Sequence, residues 1–235
     1  MNAPTPPYLS STSVALPRDV RGMLAVLRIV ASLLVLKTAL TVILLWTRYA
    51  QPDFTTEFLK GREAYFFGAY QAAFYAHVFT GPGTLILGLV LVSRRFRIRF
   101  PKLHRFLGRI QAAWVLCLLT PSGLWMSWYA DTGVAAATGF AVLAIGTGAC
   151  VLRGWQCVVQ RRFNAHQRWM WRCFLLLCSA VVLRLMGGMA TVIGWDSPLL
   201  YAQAAWSSWL IPLGIFEYLE YRKRRRRSIS IRMAS

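Results

Sequence analysis

Six apolar stretches, each long enough to cross hydrocarbon as a helix of about 20 residues, constrain this chain more than any other feature. They are Met23–Trp46, Ala72–Val92, Leu107–Tyr129, Val134–Leu152, Trp169–Gly194 and Pro198–Tyr218. Helices satisfy their own backbone hydrogen bonds in hydrocarbon, so the expected fold is all-α, a polytopic membrane bundle of six transmembrane helices. The longest connection, Thr47–Gln71, has 25 residues and leaves no room for a soluble domain. Only 15% of the residues are charged, against roughly a quarter in an ordinary soluble domain.

The formal net charge is nonetheless +19, and its distribution sets an orientation. Arg94, Arg95, Arg97, Arg99, Lys102, Arg105 and Arg109 crowd the second connection, and Arg153, Arg161, Arg162, Arg168 and Arg172 the fourth. The C-terminal run Arg222–Arg227 continues the series, whereas the first connection is nearly neutral and the third and fifth carry only Asp131 and Asp196. Basic and non-basic connections alternate, as six spans with both termini in the cytoplasm require. Residues 1–22 then form a disordered cytoplasmic segment, 23–221 the transmembrane domain and 222–235 a basic cytoplasmic tail. The expected setting is the bacterial cytoplasmic (inner) membrane. The basic face would grip anionic lipids at about 1 kcal/mol per charge. No feature points to nucleic acid, and none sets an oligomeric state.

The five cysteines lie in the spans or near the cytoplasmic face, with no Cys-x-x-Cys pair. Prolines interrupt two spans, at Gly81-Pro82-Gly83 and Thr120-Pro121, where kinks are expected. The fourth span is rich in glycine and alanine, which suits close helix packing at the centre of the bundle.

Two constellations carry possible chemistry. His104 and His166 open the third and fifth spans at similar depth, among Arg105, Arg109, Arg168 and Arg172. Paired imidazoles with arginines for propionates would suit a b-type haem, or another metal, near the cytoplasmic face. The second constellation is deeper. Lys37 lies about 21 Å along the first span and Arg184 about 22 Å along the fifth, not far from the level of His77. An intramembrane cation costs about 2.5–3.5 kcal/mol on insertion scales and reads as functional by default. No acid in the spans stands at their depth, and Asp196 is about 18 Å beyond Arg184. A quinone, a small anion or the head of an anionic lipid would supply the missing partner. A purely structural or assembly role is the bland alternative. No nucleophile–base pair, phosphate loop or carboxylate dyad is present to support common enzyme chemistries.

His77 with Gly81-Pro82-Gly83, Leu103-His104-Arg105-Phe106-Leu107-Gly108-Arg109, Gly123-Leu124-Trp125-Met126-Ser127, His166-Gln167-Arg168-Trp169-Met170-Trp171-Arg172 and Val182-Leu183-Arg184-Leu185 together define a recognisable pattern. It resembles bacterial membrane proteins grouped as domain of unknown function 2306. The resemblance covers roughly residues 70–190. It implies a multi-pass membrane protein, assigns no activity, and falls on His77, His104, His166 and Arg184.

Overall fold

The computed structural model describes residues 18–55, 58–195 and 197–232. Most of the segment expected to be disordered, and the acids Glu57 and Asp196, lie outside the described residues. Residues 18–22, assigned by sequence to that segment, form the start of the first helix.

Among the described residues, ten α-helices follow in chain order. They are α1 (Arg18–Ala50), α2 (Glu63–Phe66), α3 (Ala69–Leu91), α4 (Arg94–Arg99), α5 (Pro101–Trp114), α6 (Thr120–Ser127), α7 (Val134–Val159), α8 (Phe163–Leu177), α9 (Ser179–Ile193) and α10 (Pro198–Arg232). A π-helical turn, Val115–Leu119, joins α5 to α6. Among the described residues, six helical segments are long and apolar enough to cross a membrane, matching the six expected spans. Two are composite: α5, the π turn and α6 form one, and α8 with α9 forms another.

Residues 1–33 and 34–235 form two units. In the first, the described residues are the beginning of α1, where Ser32 Oγ donates to the Arg28 carbonyl one turn back. The second unit contains the rest of α1 and all other helices.

Several helices run further than hydropathy suggested. Pro101 starts α5 six residues before Leu107, Phe163 starts α8 six residues before Trp169, and α7 continues seven residues past Leu152. These extensions are the charged turns at the basic end of the unit, where arginines end an apolar stretch without ending a helix. Proline suits the first position of α5, because the N–H it lacks has no helical partner there. At the other end of the bundle α9 stops at Gly194, whose φ of 72° is the left-handed conformation glycine adopts freely.

Helix α7 is central, as its small residues suggested: it packs against α6, α8 and α10. A Cβ on Gly139 would lie 3.0 Å from Trp206 Nε1, and one on Gly148 would lie 3.1 Å from Thr120 Cγ2. Two cores result. Val115, Val151, Phe174, Leu177 and Trp209 anchor the larger one. Leu59, Phe66, Tyr70 and Phe74 build an aromatic cap at the end opposite the basic connections.

Pro82 sits inside α3 without ending it. Its missing N–H would have bonded the carbonyl of Val78, four residues earlier. The indole of Trp46 on α1 donates to that carbonyl at 3.2 Å, so a neighbouring helix repairs the break. Trp46→Phe keeps an aromatic ring but deletes the donor. We expect it to cost about 1–3 kcal/mol, as leaving a buried carbonyl unpaired does, and to lower the Tm in detergent. An unchanged Tm would show that the Val78 carbonyl needs no partner from α1.

Candidate ligand cavity

The proline-broken helices face one another across a cavity of about 300 Å³ in the second unit. From α3 come His77, Gly81 and Pro82; from the turn into α6 come Leu119, Thr120 and Gly123. Thr38 and Tyr49 of α1, Ala144 of α7, Arg184 of α9, and Tyr201 and Ser208 of α10 contribute to the wall. The remaining lining is mostly apolar and aromatic, which is the usual make-up of a small-molecule site with a few polar anchors.

His77 is oriented by its neighbours. Ser122 Oγ donates to the Leu119 carbonyl at 3.1 Å and lies 3.2 Å from His77 Nδ1. The tautomer of His77 sets which of the two groups donates across the Nδ1–Oγ contact. Gly123 supplies the space, since a Cβ there would lie 3.3 Å from His77 Cε1.

Arg184 shares this cavity with His77, as the common depth of the two had suggested. Its Nη1 donates to the Ala180 carbonyl on the same helix at 3.1 Å. No acidic side chain among the described residues pairs with it. Its remaining donors leave most of the planar fork available to a ligand. Two further polar atoms, Thr120 Oγ1 and Ser208 Oγ, are buried with no hydrogen-bond partner, and both residues line the cavity. Lys37 is exposed and is not part of the lining; Thr38 is the residue of α1 at that level that faces inward.

Arg62 is the cation that sequence reading passed over. Only 5% exposed, it donates through Nε to the Phe58 carbonyl, through Nη1 to Tyr65, Tyr70 and the Tyr129 carbonyl, and through Nη2 to Asp131 at 2.8 Å. Burial by itself would lower its pKa, but Tyr70, Asp131 and Tyr65 outweigh that and leave it raised. Arg62 therefore stays charged and saturated, and ties the first connection to the third. Its partner Asp131 lies 69 residues away, so no local pattern announces the pair.

At the basic end, His104 and His166 occupy the same position, four residues into α5 and α8. They lie within electrostatic reach of one another and of Arg97. His166 Nδ1 is 3.0 Å from the Gly154 carbonyl, while His104 Nδ1 is buried without a partner. The four arginines expected around them do not converge. Arg105 and Arg109 are exposed, and Arg168 lines a shallow hollow with Arg161 and Arg162. Arg172 bonds both carboxylate oxygens of Glu217 on α10 and stacks over Trp169 at 4.5 Å. Phe106, beside Arg105, is 59% exposed. Among the described residues no three His, Cys, Asp or Glu side chains gather as a metal-binding set.

Residues 74–219 match a family described as predicted membrane protein (DUF2306). The match spans well over half of the chain, and the chain belongs to that family. No curated protein and no solved structure matches it.

Proposed function

We propose that this member of the family binds a small amphipathic molecule in the cavity, holding an anionic or carbonyl head at Arg184 and His77 and an apolar body against the surrounding wall. The observation that carries this reading is the guanidinium of Arg184. It opens on the same cavity as His77, has no acid beside it among the described residues, and stands where an unmatched charge is costly. A ligand oxygen would accept from the free fork, and the partnerless hydroxyls of Thr120 and Ser208 add further contacts. Mass spectrometry of molecules retained by the purified protein tests the reading. Wild type should retain such an amphiphile, and folded Arg184→Gln should retain at least tenfold less, the loss expected for a charge-assisted hydrogen bond of about 1.5–3 kcal/mol. Equal retention would exclude Arg184 as the anchor. Loss of folded protein in Arg184→Gln, together with no molecule retained by wild type, would leave it a helix-tying role.

The proposed setting is a bacterial cytoplasmic membrane, with both termini and the basic face in the cytoplasm against anionic lipid. Support comes from the alternation of basic and non-basic connections. Lys60 in the first connection and Lys102 in the second are both exposed and report opposite sides. A membrane-impermeant amine reagent on intact cells should modify Lys60 and spare Lys102; the reverse labelling would invert the orientation.

The histidine pair keeps a second reading, as a haem or metal site. It is favoured by the bond between His166 Nδ1 and the Gly154 carbonyl, which resembles the way metal-ligating histidines are oriented through their other nitrogen. The partnerless Nδ1 of His104 points the same way. An optical spectrum of protein produced with ample haem, with metal analysis on the same sample, decides the matter. A Soret band, or stoichiometric metal, lost in His104→Ala and in His166→Ala would establish the site. Neither signal in wild type would remove it.

A further inference from the structure

Packed side chains flank the cavity at both ends. At the capped end Arg62 is fully engaged, Tyr65 stacks on Tyr129 with centroids 4.6 Å apart, and Leu59, Phe66 and Phe74 have no exposed surface. Towards the basic end the lining passes into the larger core at Leu85 and Leu177. The flank is different. Helices α1 and α9 both contribute to the wall, through Tyr49 and Arg184 among others. Arg184 is itself exposed while lining the cavity. Gly187 and Gly188 follow three and four positions later, on the same face of α9, and a Cβ on either would meet nothing within 4 Å.

We infer that the cavity opens sideways into the bilayer between α1 and α9, and that its ligand is an uncharged, carbonyl-bearing lipid of the quinone class. This inference rests on the reading of Arg184 and His77 as the residues that hold the head. Depth selects the class. Arg184 is nine residues, about 14 Å, from the end of α9, in a composite span of 31 residues, about 46 Å long. Centred on a hydrocarbon layer of about 30 Å, that span places the guanidinium several ångströms inside the layer. A carboxylate or phosphate would have to leave the aqueous interface and shed its hydration to reach such a flank opening. A quinone is already dissolved in the hydrocarbon. Its carbonyl oxygens accept from the guanidinium without bringing a second charge, and its ring and tail match the apolar wall. Binding alone is inferred, with no electron transfer.

The test uses the full chain in nanodiscs, with a decyl-substituted benzoquinone as probe, read by quenching of tryptophan fluorescence. Wild type should bind it saturably, Arg184→Gln at least tenfold more weakly, and palmitate should not displace it. Association should slow several-fold in Gly188→Leu, which places a side chain on the open face of α9. It should be unchanged in Asp131→Asn, which loosens the cap from its exposed side. Displacement by palmitate at equal or lower concentration would overturn the neutral class while leaving the site standing. Faster association in Asp131→Asn with none of the slowing in Gly188→Leu would overturn the lateral route. Failure of the quinone to bind would overturn the inference as a whole; if wild type still retained another amphiphile through Arg184, the broader reading of the cavity would survive it.

Discussion

In hydrocarbon there is no water to satisfy a backbone group that loses its helical partner, and the architecture of this protein depends on how it meets that constraint. Pro82 removes one bond from α3, and the Val78 carbonyl it frees is taken by Trp46 of α1. Before Pro121 the helix widens into a π turn, with the Thr120 N–H reaching back to the Val115 carbonyl. Both adjustments lie beside the cavity: Gly81 and Pro82 form part of its wall on one side, Leu119 and Thr120 on the other. Helix breaks in membrane proteins are tolerated where the freed backbone finds protein partners or lines a cavity, and here both conditions are met. The devices that keep α3 and α6 intact thus also shape the space between them.

The spans were legible because a membrane crossing imposes a length and a composition that no other element shares. His77 and Arg184 were legible for a related reason, since a titratable side chain at that depth stands out against its surroundings. Their meeting in one cavity followed from estimated depth alone. What sequence could not show was direction around a helix axis in a bundle of unknown arrangement. Lys37 and Thr38 are adjacent in the chain, yet only Thr38 joins the wall. The arginines near His104 and His166 read as a cradle because they are close in sequence. In space Arg105 and Arg109 are exposed, while Arg172 crosses to Glu217 on the last helix. Arg62 was missed because its connection looked neutral and its acidic partner lies in a different connection.

Arg62 and Arg184 show how one residue type can serve opposite ends in a single cavity. Arg62 donates to two carbonyls, two phenols and a carboxylate, so its charge is fully used in holding the cap together. Arg184 donates to one carbonyl of its own helix. If both were structural, Arg184 would be the weaker choice for its position, because an apolar side chain would stand at that depth without the cost of placing a charge in hydrocarbon. That contrast is the ground for proposing that its other donors meet a ligand.

The same contrast orders the remaining parts of the molecule. Arg172 is matched by Glu217, and this pair joins α8 to α10 near the basic end, away from the cavity. Its carboxylate partner is about half exposed, which limits its contribution to stability and suits a tie between helices at the membrane edge. Of the arginines near the basic end, Arg172 is paired and Arg105 and Arg109 are exposed, and none of the three lines the cavity. Arg184, at depth, is neither paired with an acid among the described residues nor withdrawn from the cavity. That difference, more than the presence of basic residues as such, is the ground for proposing a ligand at Arg184 and not among the basic connections.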